Sequence, residues 1–282
     1  MVTQEQRKRQ LAREKFLRQQ QRRTSARRKA RMRNSVIASV LGVIVIGSVA
    51  LYTTGVLKND DDKSNASADV TPSASATSKA PDPCAKPAAG KIKTATWKKE
   101  PAVTIDKSAK YTMKLATTCG DIDIALKTSA APHTVNSFDF LAGKGFFDHT
   151  KCHRLVNSGI YVLQCGDPTG TGSGGPGYTI PDENLKDASL KGGTYPAGTV
   201  AMANTYDAST GKGRNTGGSQ FFLVYQDSQL PANYTPFGTI SASGLKVLKK
   251  IAAAGAAAAD PTTGNTAPNA TVVINKATVT KS

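Results

Sequence analysis

Two hydrophobic patterns divide the chain. Residues 35–57 form an unbroken run without charge, in which Val36, Ile37, Val40, Leu41, Val43, Ile44, Val45 and Ile46 cover every face of a helix. Such a helix would reach roughly 34 Å at about 1.5 Å per residue, against a hydrocarbon core of about 30 Å. The run predicts a single transmembrane helix, because an amphipathic core helix keeps a polar stripe. It exceeds the apolar stretch of a secretory signal, about 7–15 residues, and no small-x-small site with a polar exit closes it, so an uncleaved anchor is expected.

From residue 110 onward the period changes. Apolar and polar positions alternate on both sides of Cys119-Gly120-Asp121, which predicts a two-stranded hairpin. Next, Val135, Phe138, Phe140 and Leu141 share a helical face after Pro132, with Gly143 or Gly145 as the stop. The runs KCHRLV, YVLQCGD, GTVAMAN, SQFFLVY and TPFGTI then read as short strands, a helix is expected near 244–255, and ATVVINKATVT returns to period two. Many short strands with two helices predict a closed or nearly closed antiparallel barrel, not a βαβ enzyme. No internal repeat is visible.

Charge and composition add the organisation of the first hundred residues. The 282 residues carry a net charge of +17 and are 39% hydrophobic, which excludes a multi-span membrane protein and a fully disordered chain. The charge is uneven: residues 1–34 hold thirteen Lys or Arg against Glu5 and Glu14. This basic tail before the apolar run, and Asp60-Asp61-Asp62 after it, place the N-terminus in the cytoplasm and the bulk of the chain outside, by the positive-inside rule. The tail has no aromatic but Phe16, so it is read as a topology signal that touches anionic lipid; nucleic-acid binding is not expected. Residues 63–96 are rich in Ser, Ala, Thr, Pro and Lys and cannot bury enough surface to offset ordering entropy. The expected order is a basic tail (1–34), an anchor (35–57), a disordered linker (58–96) and one folded domain (97–282).

Three blocks carry a resemblance: CHRLVNSGIYVLQCGDPTGTGSGGPGY at 152–178, AMANTYDASTGKGRNTGGSQFFLVY at 201–225 and PFGTI at 236–240. In content and mutual spacing they resemble the cyclophilin family of peptidyl-prolyl cis/trans isomerases, here in a bacterial membrane-anchored form. The similarity covers about residues 110–280. It implies a mainly β fold, a closed eight-stranded antiparallel β-barrel capped by two α-helices, and it implies catalysis without a cofactor or metal. By residue-by-residue matching, Arg154 is the donor to the prolyl nitrogen, Gln164 bonds the substrate carbonyl or orients Arg154, and Asn204 holds substrate mainly through its backbone. The matched proline pocket has Phe222 at its floor, Val162, Leu230 and Tyr161 as walls, and Ala203, Thr205 and Gln220 along the groove.

The chain departs from the family pattern in several places. Two more residues separate Arg154 from Gln164 than in the best-known eukaryotic members, so Ile160 competes with Tyr161 for the wall position. Val162 stands where a methionine is common, and Tyr234 where a histidine commonly closes the site. Gln229 replaces the tryptophan that contacts cyclosporin, so weak cyclosporin binding is expected.

Several features lead elsewhere only by resemblance of form. Residues 170–175 match G-x-G-x-x-G but are followed by PGYTIPDEN, which offers no phosphate-binding helix. His133, His149 and His153 lack metal-site spacing with the cysteines. Asp182 and Glu183 are adjacent and point apart, unlike a paired acid/base. Phe221 and Phe222 occupy adjacent strand positions, so one faces the core and one the groove. Four cysteines allow three pairings. Cys152 and Cys165 flank the hairpin bearing Arg154 and Gln164 and are expected to be bridged, leaving Cys84 and Cys119 to fasten the linker to the barrel. The leading expectation is a single-pass membrane-anchored prolyl isomerase acting on secreted or surface polypeptides; the alternative is a non-catalytic proline-peptide-binding or holdase module.

Overall fold

The computed structural model describes residues 81–207, 209–260 and 264–282. The expected tail and transmembrane segment, and the linker up to residue 80, lie outside the described residues. Among the described residues no helix is long and apolar enough to cross a membrane.

The chain opens with the hairpin β1 (Tyr111–Thr117) and β2 (Gly120–Leu126), then helix α1 (Pro132–Gly143). Strands β3 (Thr150–Lys151), β4 (Arg154–Ser158) and β5 (Ile160–Cys165) follow. Next come β6 (Thr194–Tyr195), β7 (Thr199–Met202), β8 (Phe221–Val224), β9 (Ser228–Gln229) and β10 (Pro236–Ile240), then helix α2 (Ala242–Ala253) and β11 (Val273–Lys281). Strands β6 and β9 form a small ribbon, and the other nine make one antiparallel sheet in the order β3-β11-β1-β2-β10-β7-β8-β5-β4.

This corrects the closed eight-stranded barrel. The sheet has nine strands, curls, and stays open, because its two edge strands do not pair with each other. The chain passes from β3 to β4 through Cys152 and His153 without a hairpin pairing between them, and Cys152 N donates to Val272 O at 3.0 Å. The outer edge of β4 is instead satisfied by a loop, with Leu155 N donating to Thr266 O at 2.7 Å and Thr266 Oγ1 donating to Leu155 O at 2.6 Å.

The interior between sheet and helices is aromatic. Phe138 of α1 stacks on Phe147 with centroids 5.2 Å apart, lies 4.6 Å from Phe237, and meets the Phe221 ring edge-on at 5.5 Å. Val135, Phe138 and Leu141 are buried as their shared face predicts, whereas Phe140 lies half-exposed at the rim. Helix α1 has no side-chain cap of its own. Glu183 supplies one from the loop before β6, accepting from the backbone of His133 (3.1 Å) and Thr134 (2.9 Å), a favourable place for an anion. Ser241 caps α2 by accepting from Gly244 N at 3.1 Å.

Residues 81–96 carry no regular secondary structure, yet they are fastened to the domain and are not free linker. Cys84 is bridged to Cys119, Ala85 N donates to Thr118 O at 2.8 Å, Ala88 N to Asn275 Oδ1 at 3.0 Å, and Thr271 N to Asp82 Oδ2 at 2.9 Å. A bridge and these hydrogen bonds hold this stretch where apolar burial is scarce, so its composition conceals its attachment.

Candidate active site

The site grows from the hairpin β4–β5 and its neighbour β8. The register pairs Arg154 with Gln164, Val156 with Val162 and Ser158 with Ile160, while β8 sets Phe222 beside Gln164. Side chains of a strand alternate between faces, so the even-numbered residues of the hairpin form one row and the odd-numbered ones the other. Leu155, Leu163, Cys165 and Phe221 enter the main core, whereas Val162 and Phe222 join a second cluster with Leu190, Tyr195, Ala201 and Val224. The two adjacent phenylalanines are thereby assigned: Phe221 is core, and Phe222 is the groove residue.

Over this cluster lies an apolar cavity of about 210 Å³, lined by Arg154, Ile160, Val162, Gln164, Ala203, Asn204, Phe222, Leu230 and Tyr234. It is smaller than the roughly 300–1,000 Å³ of drug-sized sites and suits one small ring. Tyr234 meets Phe222 edge-on at 5.6 Å. Tyr195 supports both from beneath, donating its hydroxyl to Tyr234 O at 2.8 Å and accepting from Tyr234 N at 3.1 Å. Burial pushes the Tyr195 phenol up to about 12, so it remains a neutral donor.

A polar row borders the cavity. Arg154 Nη1 donates to Gln164 Oε1 at 3.2 Å, Gln164 Nε2 donates to Gln220 Oε1 at 2.9 Å, and Gln220 Nε2 is held by the carbonyls of Gly172 and Gly174, both at 2.9 Å. The Gly172–Gly174 loop is itself fixed by the buried Asp167, which accepts from the backbone of Thr169, Thr171, Gly172 and Gly174. Burial would raise the Asp167 carboxyl, but the hydrogen bonds from Thr169, Gly174 and Gly172 outweigh it and hold it below the usual range. Gly166, just before it, needs its φ of +89°, and a Cβ there would stand 2.2 Å from Ser219 O. The chain that formally matched G-x-G-x-x-G is therefore a buttress for Gln220.

The Asn204 side chain is committed internally: Nδ2 donates to Asn233 O at 2.8 Å, and Oδ1 accepts from Tyr206 N at 3.2 Å. Only its backbone is left to serve a substrate. Arg214 secures the same corner, bonding Asn233 Oδ1, lying 3.7 Å from Asp182 and stacking 4.2 Å above the Tyr206 ring. Asp182 and Glu183 thus serve separate duties and form no catalytic pair.

Of the residues expected from sequence, Arg154, Gln164, Asn204, Val162, Ala203, Phe222, Leu230 and Tyr234 converge on the cavity. Gln220 and Thr205 line an adjoining groove, where Thr205 N bonds Thr216 Oγ1 at 2.9 Å. Tyr161 does not reach the site. As an odd-numbered residue it points through the opposite face and meets the Tyr225 ring edge-on at 5.8 Å, and Ile160 takes the wall position. Counting in twos back from Gln164 identifies Ile160. Arg214 had no comparable signal, since its partners come from distant loops. Both bridges are formed, Cys152–Cys165 across the base of the β4–β5 hairpin and Cys84–Cys119 at the N-terminal segment. Among the described residues no group of His, Cys, Asp and Glu is arranged to hold a metal ion.

Comparison with known proteins bears on what this arrangement does. Residues 112–279 match the family described as cyclophilin type peptidyl-prolyl cis-trans isomerase/CLD. A Mycobacterium leprae protein named probable peptidyl-prolyl cis-trans isomerase B is 47% identical over 203 residues, covering 69% of this chain and 61% of that protein. Its Mycobacterium tuberculosis H37Rv namesake is 48% identical over 157 residues, covering 53% and 49%. Peptidyl-prolyl cis-trans isomerase B of Bacillus subtilis is 40% identical over 131 residues, 46% of this chain and 82% of that one. The chain thus spans only about half to three fifths of the length of the mycobacterial relatives.

Proposed function

The chain belongs to the cyclophilin-type peptidyl-prolyl cis-trans isomerase family, and from that premise we propose that it accelerates cis/trans isomerisation of X-Pro bonds in polypeptides. The observation that carries this reading is the Arg154 guanidinium at the mouth of an apolar cavity floored by Phe222. Rotation about a peptide bond meets a barrier of about 18–20 kcal/mol because the nitrogen lone pair is delocalised into the carbonyl. A catalyst must hold the proline ring, fix one flank, and stabilise the twisted amide in which the nitrogen regains its lone pair.

In this reading the Phe222, Val162, Leu230, Ile160 and Tyr234 side chains grip the ring. Arg154, permanently charged and planar, donates to the prolyl nitrogen as the bond twists, and its bond to Gln164 fixes its direction. Gln164, itself held by Gln220, orients Arg154. The Asn204 backbone holds the substrate main chain in the manner of an added strand. An acceleration of ~10⁵ corresponds to about 7 kcal/mol of transition-state preference, which a charged donor and a fitted pocket can share.

Location follows from the sequence outside the described residues. Residues 35–57 are proposed to anchor the chain in the cell membrane in a single pass, with the basic tail cytoplasmic and the isomerase domain extracytoplasmic. Two disulfides support that side of the membrane, since bridges persist in oxidising compartments. The clients in this reading are secreted or surface polypeptides that are still folding.

The test is exchange NMR on a short Ala-Pro peptide with the full-length chain in neutral detergent. Exchange faster than the uncatalysed rate at substoichiometric protein is expected. Binding of the peptide without acceleration would overturn catalysis and leave a proline-binding module.

A further inference from the structure

The apolar cavity opens into a larger groove of about 1020 Å³ that shares Gln164, Ala203 and Asn204 with it. Part of that groove's wall is not contributed by the curled sheet or its loops: Lys98, Lys99 and Glu100 come from the segment that precedes β1. We propose that Lys98 and Lys99 read the substrate, binding an acidic side chain that flanks the proline, so that X-Pro sites near Asp or Glu are turned over in preference to neutral or basic ones. This inference deepens the isomerase reading and rests on it.

Reach is the first support. An extended peptide advances about 3.3 Å per residue, so residues two to four positions from a proline in the cavity lie about 7–13 Å along the groove. Continuity of the two spaces through Gln164, Ala203 and Asn204 makes that the open path for one flank of the substrate.

Fixed position is the second. Trp97 N donates to Pro176 O at 2.8 Å, and its ring meets Phe140 edge-on at 5.1 Å. Trp97 O approaches so closely that a Cβ on Gly177, at φ +86°, would stand 2.9 Å from it. On the other side of the lysines, Asn136 of α1 bonds Pro101 O (3.3 Å), Ala102 O (3.1 Å) and Thr104 N (2.9 Å). The lysines therefore sit on backbone tethered at both ends, which reduces the ordering cost of using them.

Charge is the third. Glu100 is engaged with His133 Nδ1 at 2.6 Å. Lys98 and Lys99 are exposed and make no ion pair among the described residues. Every other residue lining the groove is uncharged. The wall thus presents two ammonium groups with no ion pair among the described residues and one carboxylate turned to His133 Nδ1.

The experiment compares Ala-Pro peptides of one length carrying a single Glu, Gln or Lys two, three or four positions from the proline, on either side. Exchange NMR reads kcat/KM for each with the full-length chain. A preference of Glu over Gln of ~3- to 10-fold is expected in at least one position, in keeping with two exposed charge pairs. It should fall toward one in 1 M salt, where the Debye length is about 3 Å, and also in Lys98→Gln/Lys99→Gln. Turnover of all peptides with no Glu preference, or a preference that survives both the double substitution and high salt, would overturn the inference while leaving the isomerase reading intact. Absence of turnover on every peptide would instead remove the isomerase reading and the inference with it.

Discussion

Replacing Arg154 separates catalysis from folding because of how that residue is held. Arg154 is half-buried on β4, makes one hydrogen bond to Gln164 at 3.2 Å, and has no ion pair among the described residues. Arg154→Ala therefore strands no buried countercharge. Gln164 keeps its bond to Gln220, so the loss of one bond from a charged donor should cost at most about 1.5–3 kcal/mol. At about 2–4 °C per kcal/mol for a domain of this size, the melting temperature should fall by no more than roughly 3–12 °C. Catalysis should fall much further. A donor aimed at charge that develops only as the amide twists is worth about 10²–10³ in rate. Arg154→Lys should recover little, because a single ammonium lacks the planar fork that bonds Gln164 while reaching the prolyl nitrogen. The assay is exchange NMR for turnover, with peptide titration for ground-state affinity and thermal melting on the same preparations. Turnover of folded Arg154→Ala within threefold of the parent would refute the donor role. Equal losses of affinity and kcat/KM with kcat unchanged would reassign Arg154 to uniform substrate binding.

Other outcomes follow from the remaining contacts. The bridges close 13 and 35 residues of chain separation, for which loop entropy gives about 3 and 4 kcal/mol, so Cys152→Ser/Cys165→Ser and Cys84→Ser/Cys119→Ser should each lower the urea midpoint. Only the first pair should also reduce kcat, since it brackets Arg154 and Gln164; the converse pattern would contradict the site. His153 is buried with neither ring nitrogen bonded, and burial, opposed by Asp167 and aided by Arg154, holds its pKa below the usual 6.5. The native state then binds fewer protons than the unfolded one, so its stability contribution is full above pH 6.5 and declines as pH falls below it. Denaturation midpoints measured from pH 7.5 to 5 should show that decline, and His153→Phe should remove it. Cyclosporin should bind weakly, because Gln229 extends to Thr194 Oγ1 at 2.6 Å and offers no indole; Gln229→Trp should tighten binding in a fluorescence titration, and an unchanged affinity would place the cause elsewhere.

Much of the fold was legible because its signals are local. The β1–β2 hairpin, both helices and the C-terminal strand follow from period and stop residues within a dozen positions of each other. Closure was not legible, since it depends on what the edges of β3 and β4 meet, and Thr266 supplies that from more than a hundred residues away. The attachment of residues 81–96 was hidden for a related reason. Residues 81–96 look unable to fold by composition, and their order comes from Cys84–Cys119 and from the hydrogen bonds that join Asp82, Ala85 and Ala88 to Thr271, Thr118 and Asn275. A fragment cut at residue 97 would discard that bridge along with the segment leading to Lys98 and Lys99. The site was readable wherever strand parity or a family motif fixed a position, and it was missed where separate loops converge, as at Arg214, Asn233 and Asp182.

Parity also explains how the catalytic hairpin tolerates its extra length. The family resemblance implies two residues more between Arg154 and Gln164 than in the best-known eukaryotic members, and a strand changes face with every single residue. An even insertion adds one cross-strand pair and leaves all others on their original faces. Arg154 therefore still stands opposite Gln164, and the hairpin ends in the Ser158–Ile160 pair around Gly159, whose φ is +77°. The hairpin presents Ile160 to the cavity and turns Tyr161 toward Tyr225, so the wall at this point is aliphatic beside the polar row of Arg154 and Gln164. An odd insertion at the tip would break the pairing on one arm. Either Arg154 or Gln164 would then be driven into the core face now filled by Leu155, Leu163 and Cys165, where an uncompensated guanidinium or amide is costly to bury.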